Sequence, residues 1–246
     1  MLYICIPSRN EAPTVGLLLW KIRQVFASAP REYQLLVGDD ASTDATREVL
    51  APYAKVLPLT VLQADRHEGY ARTVERLLRH AVRLSDRPRR DAAVVLRADF
   101  LHDPATIPDL LKKFDSGADL VVAESQGEGA PTRGHRWLRR YAPLLLRRRV
   151  RVHGVRDTAS GFLAMRLSVA KDALPGDGAV LTAEGWAANA ELIARAAAVS
   201  RRVEGVPTRE RYDLLQQPIE IDPWAAAKAL WRNAGELRIP AAAVGR

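Results

Sequence analysis

From Tyr3 to Val206 the chain alternates short apolar runs with stretches whose apolar residues recur every three or four positions. Parallel strands cannot be joined by a tight hairpin and need a helix-length connection, so this alternation reads as a parallel sheet with crossover helices. Tyr3 to Pro7 is the first expected strand, followed by Leu35 to Gly38, Leu59 to Gln63, Ala92 to Leu96 and Leu120 to Ala123. Between the first two, Pro13 stands where a helix can begin, and Val15, Leu18, Leu19, Ile22, Val25 and Phe26 mark one buried helical face. Further helices are expected from near Asp44, from near Gly69 and from Pro104 to Phe114. Later come a strand over Gly161 to Ala164, a helix from Trp186 to about Ala197 and a strand over Val203 to Val206. The expected architecture is α/β and Rossmann-like, with a mixed, mostly parallel sheet flanked by helices. With 246 residues, one domain spanning 1–246 is expected to carry two functional halves, 1–125 and 126–246. Gln126 to Pro131, rich in Gly, Pro and polar residues, is the expected hinge, and Pro223 to Arg238 a short C-terminal helix.

Charge is concentrated in one place. The net charge is +8, and Arg133 to Arg156 contains nine arginines without one acidic residue, a segment suited to an anion. Nucleic acid is a poor fit, because aromatic residues are not interleaved at stacking intervals and no nucleic-acid module signature is present. Cys5 is the single cysteine and sits in an apolar run, which points to a buried structural thiol rather than redox chemistry. No stretch approaches 18 uninterrupted apolar residues, and the opening residues lack the pattern of a signal peptide. The expectation is a cytoplasmic protein, with membrane contact, if any, peripheral.

In open parallel sheets ligands collect at the carboxyl ends of the strands, so polar residues there carry extra weight. Three ends stand out: Pro7-Ser8-Arg9-Asn10-Glu11, Asp39-Asp40-Ala41-Ser42-Thr43-Asp44, and Arg97-Ala98-Asp99-Phe100-Leu101-His102-Asp103-Pro104. Each alone is compatible with a capped turn; their order and spacing together are specific.

With Asp157-Thr158-Ala159-Ser160-Gly161-Phe162-Leu163-Ala164, Glu191-Leu192-Ile193 and Val206-Pro207-Thr208, these motifs resemble family 2 glycosyltransferases, in particular their dolichol-phosphate mannosyltransferase-like branch. The resemblance runs over residues 3 to 211 and implies a GT-A fold and an inverting transfer of a sugar from a UDP- or GDP-sugar. It implies that Pro7, Asn10, Glu11, Asp39 and Asp40, with Gly69, Ala98 and Asp99, hold the nucleotide sugar. Carboxylates suit that task by accepting hydrogen bonds from ribose hydroxyls and ring N–H groups. Asp99, Arg97, Asp157 and Glu191 are the expected catalytic positions. The arginine-rich segment, with Arg133, Arg136, Arg140 and Ser160, stands where this branch receives its acceptor, a polyprenyl phosphate or another phosphate. A phosphate attacks without a protein base; the alternative, a hydroxyl of a soluble acceptor, needs one, and Glu184, Glu191 or Asp157 is available. A degenerate, non-catalytic nucleotide-sugar binder is the third reading.

The pattern departs from the family at the Asp-x-Asp motif that holds Mg²⁺ or Mn²⁺, since Arg97 replaces the first carboxylate and Leu101 another oxygen ligand. Asp99 alone is too little for a hard cation, so metal-independent donor binding is expected, with Arg97 supplying the charge. Neither His102 nor His135 has a partner at metal-ligand spacing, so both are expected to be structural.

Overall fold

The computed structural model of the protein describes residues 1–125, 137, 141 and 152–212. The elements run β1 (Leu2–Ser8), α1 (Val15–Ser28), β2 (Tyr33–Asp39), α2 (Thr46–Tyr53), β3 (Leu59–Gln63), α3 (Tyr70–Leu84) and β4 (Ala92–Val95). A 3₁₀ turn over Pro104–Thr106 leads into α4 (Ile107–Asp115) and β5 (Leu120–Ser125). After residue 152 come β6 (Leu163–Arg166), α5 (Leu167–Ala173), α6 (Gly185–Val199) and β7 (Val203–Thr208).

The seven strands form one sheet in the order β3-β2-β1-β4-β6-β5-β7. β1 pairs in parallel with β2 and β4, β2 with β3, and β5 with β7, whereas β6 runs antiparallel to both β4 and β5. The sheet is therefore mixed and mostly parallel, and strands from both sides of residue 126 share it. Alternate residues of each central strand face opposite layers, as the two-residue period of a strand requires. Leu2, Ile4, Ile6, Leu35 and Val37 pack with α1, α2 and α4, while Tyr3, Cys5 and Leu36 pack with α3, α5 and α6. The expected face of α1 is buried in full, and Cys5 is a fully buried free thiol.

Two features differ from the expected element pattern. The strand expected over Gly161 to Ala164 begins at Leu163, because Ser160 and Phe162 close a tight turn in which Ser160 Oγ accepts from Phe162 N at 3.2 Å. The short α5 then follows β6 without a break and carries Leu167, Val169 and Ala170 into the core. The Gln126 to Pro131 hinge and the Pro223 to Arg238 helix lie outside the described residues.

Strand order places the chain's connections on opposite sides of β1. From β1 the chain moves outward through β2 to β3, then returns across β1 to β4. A reversal of this kind leaves a crevice at the carboxyl ends of β1 and β4, the place where open α/β sheets bind ligands.

Candidate functional site

Each of the three strand ends at this crevice carries one non-glycine residue in the left-handed region: Asn10 after β1 (φ 54°), Ala41 after β2 (φ 52°) and Phe100 after β4 (φ 60°). Asn tolerates this conformation through its short polar side chain, but Ala and Phe hold it at a cost of roughly 1–2 kcal/mol each. Long-range hydrogen bonds hold the first two turns. Asn10 N donates to Ser42 Oγ (3.0 Å), Asn10 Oδ1 accepts from Thr43 N (2.9 Å), Glu11 N donates to Thr46 Oγ1 (2.9 Å) and Ala12 N to Asp44 Oδ2 (3.1 Å). Asn10 thus staples the β1 turn to the β2 turn and stands behind the cleft wall.

The cleft has a volume of about 160 Å³ and is walled by Pro7, Ser8, Arg9, Glu11, Asp40, His67, Tyr70, Thr73, Arg97 and Ala98. Of the residues expected to hold the nucleotide sugar, Pro7, Glu11, Asp40 and Ala98 line it, joined by Arg97. Asn10, Asp39, Gly69 and Asp99 form its supporting layer. Asp39 is fully buried, and its carboxylate accepts from Ser42 N (3.1 Å) and Arg47 Nε (2.7 Å). Replacing Asp39 therefore damages the turn itself, so the fold-neutral expectation that a ligand-facing carboxylate carries does not apply to it.

Asp40 is also almost buried. Its Oδ1 accepts from Glu68 N (2.7 Å), and its Oδ2 accepts from Gly69 N (3.0 Å) and His67 Nδ1 (2.7 Å). Arg9 Nη1 lies 3.3 Å from His67 Nε2, and a guanidinium can only donate, so Nε2 accepts and the ring proton sits on Nδ1 toward Asp40. His67, half exposed, is then the group that Asp40 presents at the cleft. The start of α3 locks against this arrangement. Gly69 has φ 95°, a conformation that calls for glycine, and the Glu184 carboxylate packs against it, with Oε1 2.5 Å from where a Cβ would lie. Glu184 Oε2 accepts from Ala71 N at 3.3 Å, which ties α3 to the residue preceding α6.

Arg97 Nε donates to Asp99 Oδ2 at 2.7 Å, and Asp99 Oδ1 accepts from Leu101 N at 3.1 Å. Asp99 raises the pKa of Arg97, which keeps a permanent cation at the cleft. Because the pair forms through Nε, both Arg97 Nη groups are left without a hydrogen bond among the described residues. Ser8 Oγ, in the same wall, is buried and has no hydrogen-bond partner among the described residues. Unpaired polar atoms in a concave wall are what a polar ligand satisfies. The set does not fit a divalent cation. Asp99 is one carboxylate already shared between a guanidinium and a backbone N–H, and the described residues contain no group of three or more His, Cys, Asp or Glu able to hold a metal.

Burial beside Asp99 pushes the Glu11 carboxyl up to about 7 from an ordinary 4.5, against the opposing hydrogen bond from Thr14 Oγ1 (2.8 Å) and the charge of Arg97. The raised value fixes the sign of a stability effect. Below pH 4.5 the carboxyl is protonated folded or unfolded; as pH rises through 7 the fold must ionise a buried acid, and stability is lost. Glu11→Gln is therefore expected to match the wild type at pH 4.5 and exceed it at pH 8 by about 1–3 kcal/mol, after discounting for partial exposure. Urea midpoints at the two pH values check this, and equal differences at both would remove Glu11 from the account.

The residues assigned to the second half divide differently. Ser160 is fully buried, with its hydroxyl engaged by Phe162 in the turn. Asp157, also buried, accepts from Ser125 N (3.2 Å) and Ala159 N (3.1 Å). Glu191 is completely buried and does not border the cleft. Its Oε2 accepts from Thr182 N (2.8 Å) and Ala183 N (3.2 Å), and its Oε1 from Arg195 Nη2 (3.0 Å). These bonds tie α6 to the segment before it. Arg133, Arg136 and Arg140 lie outside the described residues. His102, expected to be structural, is buried beside Phe162 with Nε2 3.9 Å from Glu210, which joins the segment after β7 to the loop after β4. The cleft residues that the motifs did not single out are Ser8, Arg9, His67, Tyr70 and Thr73; the first two stand inside the first motif, and Tyr70 directly follows Gly69.

Comparison with known proteins bears on the family and on the fold. The family described as glycosyl transferase family 2 matches residues 3–174. A dolichol-phosphate mannosyltransferase of Pyrococcus furiosus is 25% identical over 171 residues, 68% of this chain and 46% of that protein, so the match spans less than half of the relative's length. Among solved structures, glucosyl-3-phosphoglycerate synthase from Mycobacterium tuberculosis, in complex with Mn²⁺, UDP and glucosyl-3-phosphoglycerate, superposes with a TM-score of 0.63 at 17% identity. That match covers 98% of this chain and 81% of the other. Mannosyl-3-phosphoglycerate synthase from Rubrobacter xylanophilus superposes with a TM-score of 0.64 at 18% identity, over 96% of this chain and 73% of the other. At such identities the superpositions speak for the fold, which is that of GT-A glycosyltransferases.

Proposed function

The chain belongs to glycosyl transferase family 2, and on that premise we propose that it moves a sugar from a UDP- or GDP-sugar, with inversion, to an acceptor bearing a phosphate. The observation that carries this reading is Arg97: a guanidinium held through Nε by Asp99, with both Nη groups unpaired at a cleft beside the orphaned Ser8 hydroxyl. The Nη pair suits two oxygens of a diphosphate, the bidentate geometry a guanidinium favours. Pro7, Glu11, Asp40 with His67, and Ala98 form the nucleoside end, and Asn10, Asp39 and Gly69 keep its turns in place. In the reaction an acceptor oxygen bonds to the anomeric carbon as the bond from that carbon to the diphosphate breaks, and the nucleoside diphosphate departs with the electron pair. Arg97 stabilises the charge that develops on it. A phosphate oxygen is already anionic near neutral pH and needs no base, in keeping with the burial of Glu191 and Asp157.

For the acceptor, Arg133, Arg136 and Arg140 supply the positive charge, and a polyprenyl phosphate or a small phosphate ester has the matching anion. No helix among the described residues is long and apolar enough to cross a membrane. Two measurements test the reading. A thermal-shift screen with UDP and GDP is expected to give a stabilisation of about 2–3 kcal/mol at a hundredfold excess over Kd for the preferred nucleotide, which Asp40→Ala weakens. Neutralising Arg133, Arg136 and Arg140 together is expected to raise the acceptor KM about tenfold or more while the donor KM stays within about twofold. No stabilisation by either nucleotide, or equal loss for donor and acceptor, overturns the corresponding half.

A further inference from the structure

Tyr70, the first residue of α3, stands where the two halves of the site meet. Its ring lies under the Arg97 guanidinium, 5.4 Å from centroid to Cζ. Its hydroxyl, pushed up to about 12 by burial and so protonated at neutral pH, donates a hydrogen bond to Asn189 Oδ1 at 2.8 Å. Asn189, on α6, passes the connection on: its Nδ2 donates to Ala159 O at 3.0 Å, inside the Asp157–Phe162 turn. Gly161 of that turn packs against all three side chains, since a Cβ on it would lie 3.2 Å from Tyr70 Oη, 3.2 Å from Asn189 Nδ2 and 3.5 Å from Arg97 Cδ.

We infer that Tyr70 and Asn189 are positioning residues for Arg97, with Tyr70 as the platform that aims the guanidinium and Asn189 as the tie that registers it against the Asp157–Phe162 turn. The chemistry is direct. Asp99 restrains Arg97 only through the Nε–H bond, which still lets the planar group tilt; an aromatic face beneath the guanidinium plane removes that freedom while leaving the Nη N–H groups for a ligand. A hydrophobic residue of similar size fills the space without attracting the cation. The hydroxyl then decides where the ring sits, because its bond to Asn189 is the polar link between α3 and α6 at this level. A side effect is coupling: any shift of the Asp157–Phe162 turn on the acceptor side moves Asn189, hence Tyr70, hence the donor-side cation.

This inference rests on the assignment of Arg97 to the donor diphosphate, and the experiment separates the two. Calorimetry on the full chain in EDTA measures affinity for the preferred nucleoside diphosphate and for its monophosphate. A general loosening of the cleft moves both affinities alike, so their ratio reports the aim of Arg97. Arg97→Ala is expected to bring the ratio close to one. Tyr70→Leu is expected to lower it about tenfold, whereas Tyr70→Phe, which keeps the face, stays within about threefold. Asn189→Ala is expected to lower it about threefold and carries the test if Tyr70→Leu does not fold. A wild-type ratio in both Tyr70→Leu and Asn189→Ala, with loss in Arg97→Ala, overturns the positioning role and leaves Arg97 in place. Equal losses in Tyr70→Leu and Tyr70→Phe overturn the platform, and an unchanged ratio in Arg97→Ala overturns both readings.

Discussion

Turnover of the nucleotide sugar is expected to survive EDTA in the wild type, to change by less than about twofold on adding Mn²⁺, and to fall by about 10²–10³-fold in Arg97→Ala, the loss typical of removing one preorganised donor from a developing anion. The expectation follows from the pairing at the end of β4. A hard divalent cation wants about six oxygens and little competing positive charge. Here Asp99 has one oxygen on Arg97 Nε and the other on Leu101 N, so both are already engaged and a positive charge stands beside them. A departing diphosphate nevertheless requires positive charge, and Arg97 lines the cleft with both Nη groups free of hydrogen bonds among the described residues. Arg97→Lys is expected to recover only part of the rate, because an ammonium offers neither the planar fork nor the stacking surface that Tyr70 meets. The M. tuberculosis neighbour contains Mn²⁺ with UDP, so metal use occurs within this fold and the comparison is informative. If EDTA abolishes wild-type turnover and Mn²⁺ restores it, Arg97 does not replace the metal. Nucleotide binding without turnover under any condition points instead to a non-catalytic binder.

Much of this site was legible in the sequence because the α/β fold places strand ends at a predictable edge. The three motifs after β1, β2 and β4 meet there, and Pro7, Glu11, Asp40, Arg97 and Ala98 share one cleft. What the sequence hides is which member of a motif faces the ligand and which holds the loop. Asp39 and Asp40 are adjacent carboxylates, yet one is spent on Arg47 and the other on the start of α3, eight and 28 or more residues away. Spacing cannot report such distant partners. The left-handed turns at Ala41 and Phe100 are equally silent, since neither residue type favours positive φ and only the surrounding hydrogen bonds and packing impose it. The same is true of β6. Its antiparallel sense depends on the path of the chain before it, and a strand of only four residues, Leu163–Arg166, reads alike in either direction. Ser160 and Glu191 are hidden differently: their hydrogen-bond partners Phe162, Thr182, Ala183 and Arg195 are near in sequence, but their full burial is set by the packing around them.

Glu191→Ala is accordingly expected to fail as a fold before it fails as an enzyme. The carboxylate is fully buried and accepts from Thr182 N, Ala183 N and Arg195, so removing it strands two backbone N–H groups and takes the carboxylate away from a mostly buried guanidinium. Breaking a buried pair in this way costs roughly 3–5 kcal/mol. For a chain of this size that corresponds to a fall in Tm of about 6–20 °C. The segment it anchors leads directly to Glu184, whose carboxylate meets Gly69 and Ala71, so the loosening propagates toward the donor site as weaker nucleotide binding. Measured well below the lowered Tm, kcat is expected to stay within about threefold of wild type with an unchanged pH profile, since no proton passes through Glu191. Glu191→Gln separates the alternatives. Its amide oxygen can still accept from Thr182 and Ala183 while its NH₂ faces Arg195, so stability is expected to fall by less than in the alanine variant, again with activity retained. A Glu191→Gln protein with wild-type Tm but turnover reduced about 10²–10⁴-fold, and with the basic limb of its pH profile gone, would identify Glu191 as a general base and direct the reaction toward a hydroxyl acceptor.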